Sequence, residues 1–144
     1  MTRIEFYRLS GPADRLQVAC RLAARAWHQR LAVFIRCQDE AQSQLMDELL
    51  WSFRPERFIP HDRHAVNPQS PVVIGQDEMP LATGGLLLNL QPTPAPHLAC
   101  YSRVIELVSP ELATAFQTSF LHYRQLGHTP QSVEIHGQPV PASA

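Results

Sequence analysis

The chain opens with strand and helix signals that alternate twice, and this order limits the possible folds more than any other feature. Ile4-Glu5-Phe6-Tyr7-Arg8-Leu9 reads as a strand, with Ile4, Phe6 and Arg8 alternating against Glu5, Tyr7 and Leu9. Ser10-Gly11-Pro12 breaks it and starts a helix, because proline is tolerated in a first turn. Across residues 14–30 the spacing is helical: Leu16, Ala19, Ala23, Ala26 and Trp27 share one side, and Arg21, Arg25 and His28 the other. Leu31-Ala32-Val33-Phe34-Ile35-Arg36-Cys37 is then a nearly continuous apolar run, as expected of a strand covered on both faces. Asp39 is placed to cap a second helix, with Gln42 as the return half of a capping box. Leu45 and Leu49 mark its expected buried stripe, and Trp51 lies near its end. Strand, helix, strand, helix in this order is the signature of a parallel sheet with right-handed crossovers.

Beyond Trp51 the pattern is less regular. Pro55, Pro60, Pro68 and Pro71 forbid a long helix between Ser52 and Pro71. Pro71-Val72-Val73-Ile74-Gly75 and Leu86-Leu87-Leu88-Asn89-Leu90 are two more buried-type strands, and Pro92, Pro94 and Pro96 make a stiff linker. Arg103-Val104-Ile105-Glu106-Leu107-Val108 is another strand. Ser109-Pro110-Glu111 then opens a third helix with a cap, a first-turn proline and an early acid; it should run to about Leu126, before Gly127. Residues 131–136 read as a last strand at a sheet edge. The expectation is one α/β domain over residues 1–137, with a mostly parallel sheet and helices on both faces. Residues 138–144 are expected to form a flexible tail.

Such a fold invites an enzymatic reading, and the residues resist it. All twelve cations of the 144 residues are arginine, which removes a Schiff-base lysine, a Ser–Lys dyad and a P-loop lysine. The turn after the first strand, Ser10-Gly11-Pro12-Ala13-Asp14, has one glycine where a dinucleotide loop wants three, and Asp14 would repel a pyrophosphate. After the second strand, Asp39 and Glu40 stand where phosphate would sit. His61-Asp62-Arg63-His64 offers two histidines without a third zinc ligand, and Ser43, Ser52, Ser70 and Ser119 lack a nucleophile-elbow context. Glu5, Glu106 and Glu134 read as strand carboxylates, which face solvent more often than they catalyse. A formal charge of −1 argues against a broad nucleic-acid-binding face. Cys20, Cys37 and Cys100 form neither a disulfide framework nor a CxxC pair. No run approaches a membrane span, and Met1-Thr2-Arg3-Ile4-Glu5 lacks the apolar core of a signal peptide. A cytoplasmic protein is expected.

What remains is the aromatic and proline cluster Trp51, Phe53, Phe58, Pro60 and His61. Loop-borne aromatics held by prolines make rigid interface anchors, although Trp51 and Phe58 taken singly are equally suited to closing a core. This stretch also carries a family resemblance. Leu50-Trp51 followed by Phe58-x-Pro60-His61 resembles a block of the bacterial DNA polymerase III chi subunit family. So do Phe6-Tyr7 leading to Ala19-Cys20-Arg21-Leu22-Ala23, the middle and closing strands, and Tyr123-Arg124-x-x-Gly127, in the same order over roughly Thr2 to Gly137.

The resemblance implies a Rossmann-like fold without a glycine-rich phosphate loop, and an adaptor with no catalytic residue, cofactor or metal. It implies pairing with the psi subunit of the clamp-loader complex through Trp51, Phe58, Pro60 and His61. It also implies binding of the acidic C-terminal tail of single-strand DNA-binding protein by the third helix, here through Arg124, Phe120, Tyr123 and His128. Ala113, Gln117 and Leu121 stand where relatives often have cations, so arginines of the first helix are candidates to take over. Partnership with an accessory DNA-repair helicase, or a divergent small nucleotide-binding enzyme, are the alternatives.

Overall fold

A computed structural model of the chain describes residues 2–10, 14–53 and 58–135. The elements are β1 (Arg3–Leu9), α1 (Arg15–His28), β2 (Val33–Arg36), α2 (Glu40–Ser52), β3 (His61–Arg63), β4 (Val72–Gly75), β5 (Gly85–Asn89), β6 (Tyr101–Val108), α3 (Ala113–Gln125) and β7 (Gln131–Ile135). The strands form one seven-stranded sheet in the order β3-β4-β2-β5-β6-β1-β7, and every pairing is parallel. α/β with a parallel sheet is therefore the architecture, and β7 lies at its edge as expected. The expected tail and the Gly11-Pro12 helix start lie outside the described residues.

The period-two alternation of the strands divides the core into two layers. Val33, Ile35, Val72, Ile74, Leu86, Leu88, Ile105 and Leu107 pack with α1 and α2 on one face. Phe6, Phe34, Val73, Leu87 and Val104 pack on the other, where Phe116 and Tyr123 of α3 join them. α1 presents Ala19, Ala23 and Ala26 to the sheet, and these small side chains let the helix lie close to it. Among the described residues no helix is long and apolar enough to cross a membrane.

Several helix details differ from expectation for identifiable reasons. Asp14 caps α1, its carboxylate accepting from the Leu16 N–H at 2.8 Å. Asp39 caps α2 through the Gln42 N–H at 2.8 Å, but the Gln42 side chain returns to the Gln38 N–H, one residue before the cap. Leu45 is 53% exposed and Leu49 only half-buried; the covered stripe of α2 is Ser43, Met46 and Leu50. The expected stripe is thus rotated, because α2 rests over the outer strands β3 and β4 and turns toward them the side nearest the sheet. Ser109 does not cap α3: its hydroxyl donates to Glu111 at 2.8 Å, and a tight turn at Pro110–Leu112 precedes the α-helix. Gly127, at φ +92°, ends α3, with the N–H groups of Gly127 and His128 donating to the Arg124 and Tyr123 carbonyls. Asp39→Ala should cost about 1 kcal/mol through the lost cap, read as a fall of about 3 °C in a circular-dichroism melt.

Candidate partner-docking site

In open α/β sheets, ligands sit at the carboxyl ends of the strands. Here those ends are occupied by the chain's own side chains. Arg15, from the start of α1, donates to the Leu90 and Leu107 carbonyls at 2.8 and 3.1 Å. The register aligns Arg36, Asn89 and Glu106 across β2, β5 and β6. Arg36 donates to Asp77, to the Thr93 carbonyl and, at 3.3 Å, to the Asn89 side-chain oxygen. The Asn89 amide nitrogen in turn donates to both Glu106 oxygens, at 2.8 and 3.0 Å. The Tyr123 hydroxyl donates to Glu106 at 2.9 Å and accepts from the Ala95 N–H at 2.7 Å.

Glu106 is fully buried, which corrects the reading of a solvent-facing strand carboxylate; Glu5 is likewise buried and pairs with Arg103. Burial pushes the Glu106 carboxyl up to about 8, against the opposing pull of the Asn89 and Tyr123 hydrogen bonds and the Arg36 charge. The network anchors α3 and the 91–97 connection to the sheet. Burial also pushes the Cys20 and Cys37 thiols up to about 12, which keeps both as neutral packing groups at pH 7.

The aromatic cluster is assembled at the outer edge of the same sheet. α2 carries Asp47 and Trp51 one turn apart on one flank. The chain returns at Phe58, buries Ile59 in the core, and enters β3 at His61. Trp51 and Phe58 are 59% and 62% exposed, with ring centroids 5.3 Å apart. Below them His61 is enclosed, its ring edge-on to Trp51 at 4.9 Å. Its Nδ1 lies 2.6 Å from the Ile59 carbonyl and its Nε2 3.2 Å from an Asp47 carboxylate oxygen.

Trp51 and Phe58 are therefore surface groups and not core closure. His61, expected among the contacting residues, is instead the floor beneath them, and half-buried Pro60 links it to Ile59. His64 turns away to pack against Phe34, so the two histidines of His61-Asp62-Arg63-His64 part company. Asp47, which the sequence reading missed, belongs to this site; its position four residues before Trp51 was the available signal.

The four residues expected around the third helix do not converge. Tyr123 is enclosed in the core by its bonds to Glu106 and Ala95, which removes it from any contact surface. Phe120 is half-buried against Phe6 at 5.2 Å and lines a groove of about 470 Å³ with Val108, Phe116 and Gln117. His128 lines a separate depression with Leu98 and Leu126, and Arg124 is exposed on α3. α1 packs on the opposite face of the sheet, so its arginines do not replace the missing cations. The cation at the Phe120 groove is Arg8 of β1, whose alternation with Ile4 and Phe6 already put it on that face.

Comparison with known proteins decides the affiliation. The family described as DNA polymerase III chi subunit, HolC, matches residues 1–131. The chain belongs to this family. A chi subunit of Pseudomonas aeruginosa is 42% identical over 132 residues, covering 89% of this chain and 93% of the relative. The Haemophilus influenzae chi subunit is 32% identical over 113 residues, covering 76% and 78%. That of Escherichia coli is 30% identical over 95 residues, covering 64% and 65%. Among solved structures, a DEAD box protein from Methanococcus jannaschii superposes with a TM-score of 0.64 at 8% identity, over 92% of this chain and 42% of its own. That likeness concerns the Rossmann-like fold alone. As a chi-family member the chain is a subunit of the replicative polymerase assembly.

Proposed function

We propose that this chi-family chain is a non-catalytic cytoplasmic adaptor. It pairs one-to-one with the psi subunit, through it joins the clamp loader, and links both to the acidic C-terminal tail of single-strand DNA-binding protein. The observation that carries the reading is the Trp51–Phe58 pair, two large rings more than half exposed and in mutual contact at the edge of the sheet. Clustered aromatics of this kind dominate protein interfaces, and an isolated fold has no use for them at its surface. The decisive experiment is co-purification of the tagged chain from cell extract. Psi and the clamp loader should be recovered together. Recovery of neither overturns the reading, and a helicase without the clamp loader assigns the chain to repair.

The tail is proposed to lie in the groove beside Phe120, its apolar end against Phe116 and Val108 and its carboxylates meeting Arg8 of the groove and then Arg124, which lies outside it one helical turn beyond Phe120. Both cations are exposed, so each contributes modestly. Arg8→Ala and Arg124→Ala should each weaken binding of a tail peptide about fivefold at low salt, and added salt should narrow the difference. Calorimetric titration showing affinity indifferent to salt and to both substitutions would remove the tail from this groove.

A further inference from the structure

We infer that the pocket beside Tyr101 is a second docking site, which takes a neutral aromatic side chain with a hydroxyl edge, a tyrosine, presented by an apolar protein segment. β4 and β5 are parallel with β2 between them, so the chain crosses a face of the sheet to pass from one to the other. Such a crossover ordinarily takes roughly a dozen residues or more, most often a helix. Residues 76–84 are fewer, contain Pro80, and cross without one. With residues 64–71 they stand where a helix would over Phe34 and Val73, on the face opposite α1 and α2. Between them they leave a pocket of about 270 Å³.

The Tyr101 hydroxyl points to a ligand. Tyr101 is 5% exposed, yet its hydroxyl makes no hydrogen bond to a described residue and is not sealed in the core. A buried phenol ordinarily finds a partner, as that of Tyr123 does in Glu106 and the Ala95 N–H. Tyr101 lines the pocket, and the Ser70 side chain beside it brings a second hydroxyl. Among the described residues the lining holds neither arginine nor carboxylate, which excludes phosphate and carboxylate ligands, a nucleic-acid backbone included. Phe34 and Tyr101 offer ring surfaces against which another ring packs, and a ligand hydroxyl both donates and accepts, as the two protein hydroxyls require.

The rim decides what carries the ring. Val66, Met79 and Leu81, all on the two connections, are each more than half exposed. A free small molecule would fill the pocket and leave this rim in water, whereas a ring carried by an apolar segment covers both. The site is separate from the Trp51–Phe58 surface, which α2 carries on the other face, and does not depend on that reading.

The test is a magnetic-resonance titration of the isotope-labelled full chain, followed at the backbone N–H signals of Ser70, Leu81 and Gly85. The probes are the N-acetyl amides of tyrosine and phenylalanine, the tripeptide acetyl-Leu-Tyr-Leu-amide, and adenosine. Capped tyrosine should shift the three signals with a Kd of about 1 mM, and capped phenylalanine should bind about fivefold more weakly. Tyr101→Phe removes a hydroxyl that has no partner and should fold like the parent; it should weaken capped tyrosine about fivefold and leave capped phenylalanine unchanged. The tripeptide should bind about tenfold more tightly than capped tyrosine, and Leu81→Ala should remove most of that gain. Absence of shifts at the three signals overturns the site, and so does equal binding of tyrosine and phenylalanine that is indifferent to Tyr101→Phe. A tripeptide no tighter than capped tyrosine, or adenosine bound more tightly than both, overturns the protein segment as occupant.

Discussion

Phe58→Ala is expected to weaken psi-subunit binding by at least about thirtyfold, roughly 2 kcal/mol or more, while leaving the melting temperature within about 2 °C of the parent. The two halves of this expectation have separate physical origins. Phe58 is 62% exposed, so truncating it opens no cavity in the isolated chain. On docking, the ring would pass from water into a partner pocket, and Trp51 at 5.3 Å would be desolvated beside it. A large aromatic fully buried at the centre of an interface is the side chain whose loss costs most. Measured by titration with psi and by calorimetric melting of the same samples, the variant separates interface from core. A fall in stability matched by an equal fall in binding would make Phe58 a fold residue after all.

Tyr123→Phe should destabilise the chain by about 2–4 kcal/mol, a loss of roughly 10 °C in melting temperature. The phenol is fully enclosed and its hydroxyl serves two partners, donating to Glu106 and accepting from the Ala95 N–H. Without it, a buried carboxyl and a buried amide each lose a hydrogen bond where water does not replace it. Tyr123→Ala adds the cost of a cavity between α3 and the sheet and should approach complete unfolding at 37 °C.

The same network makes stability depend on pH with a sign opposite to that of most carboxylates. In the folded chain Glu106 is pushed up from 4.5 to about 8 by burial. Below about 4.5 the group is neutral folded and unfolded and brings no ionisation penalty. As pH rises toward 8 the unfolded chain releases its proton while the folded chain resists, so this group's contribution to stability falls and levels off above about 8. Glu106→Gln removes the titration. The stability of the parent relative to this variant should therefore decline by a few kcal/mol between pH 5 and pH 8, measured by urea unfolding at each pH. A constant difference across that range would mean that Glu106 is ionised throughout, held by Arg36 through Asn89.

Elements were legible where the signal is local. The apolar runs around Val33 and Leu87 are strands in any such α/β chain, since residues covered on both faces must be apolar in succession. Asp39 caps its helix because the carboxylate and the Gln42 N–H are neighbours in sequence. β3 escaped notice because three residues among prolines are too few to show a period. Leu45 was misplaced because amphipathic spacing gives the face of a helix only approximately, and the sheet beneath selects the rotation.

The site divides in the same way. That aromatics and prolines gather from the end of α2 onward is written in the order of residues 51–61, and so is the family to which the chain belongs. Whether those aromatics close a core or face outward was not, because exposure depends on what else packs at that sheet edge; the fold leaves Trp51 and Phe58 outside and draws His61 under them. The polar row is a still clearer case. Arg36 and Asn89 are 53 residues apart, and Asn89 and Glu106 are 17 apart. Only the strand order β2-β5-β6 and its register make them adjacent. Sequence alone determined an α/β chain of the chi family, since periodicity and motif order are properties of the chain. The tertiary structure decided which side chains are buried together and which stay outside, because a buried carboxyl, an exposed ring and a groove are set by neighbours distant along the chain.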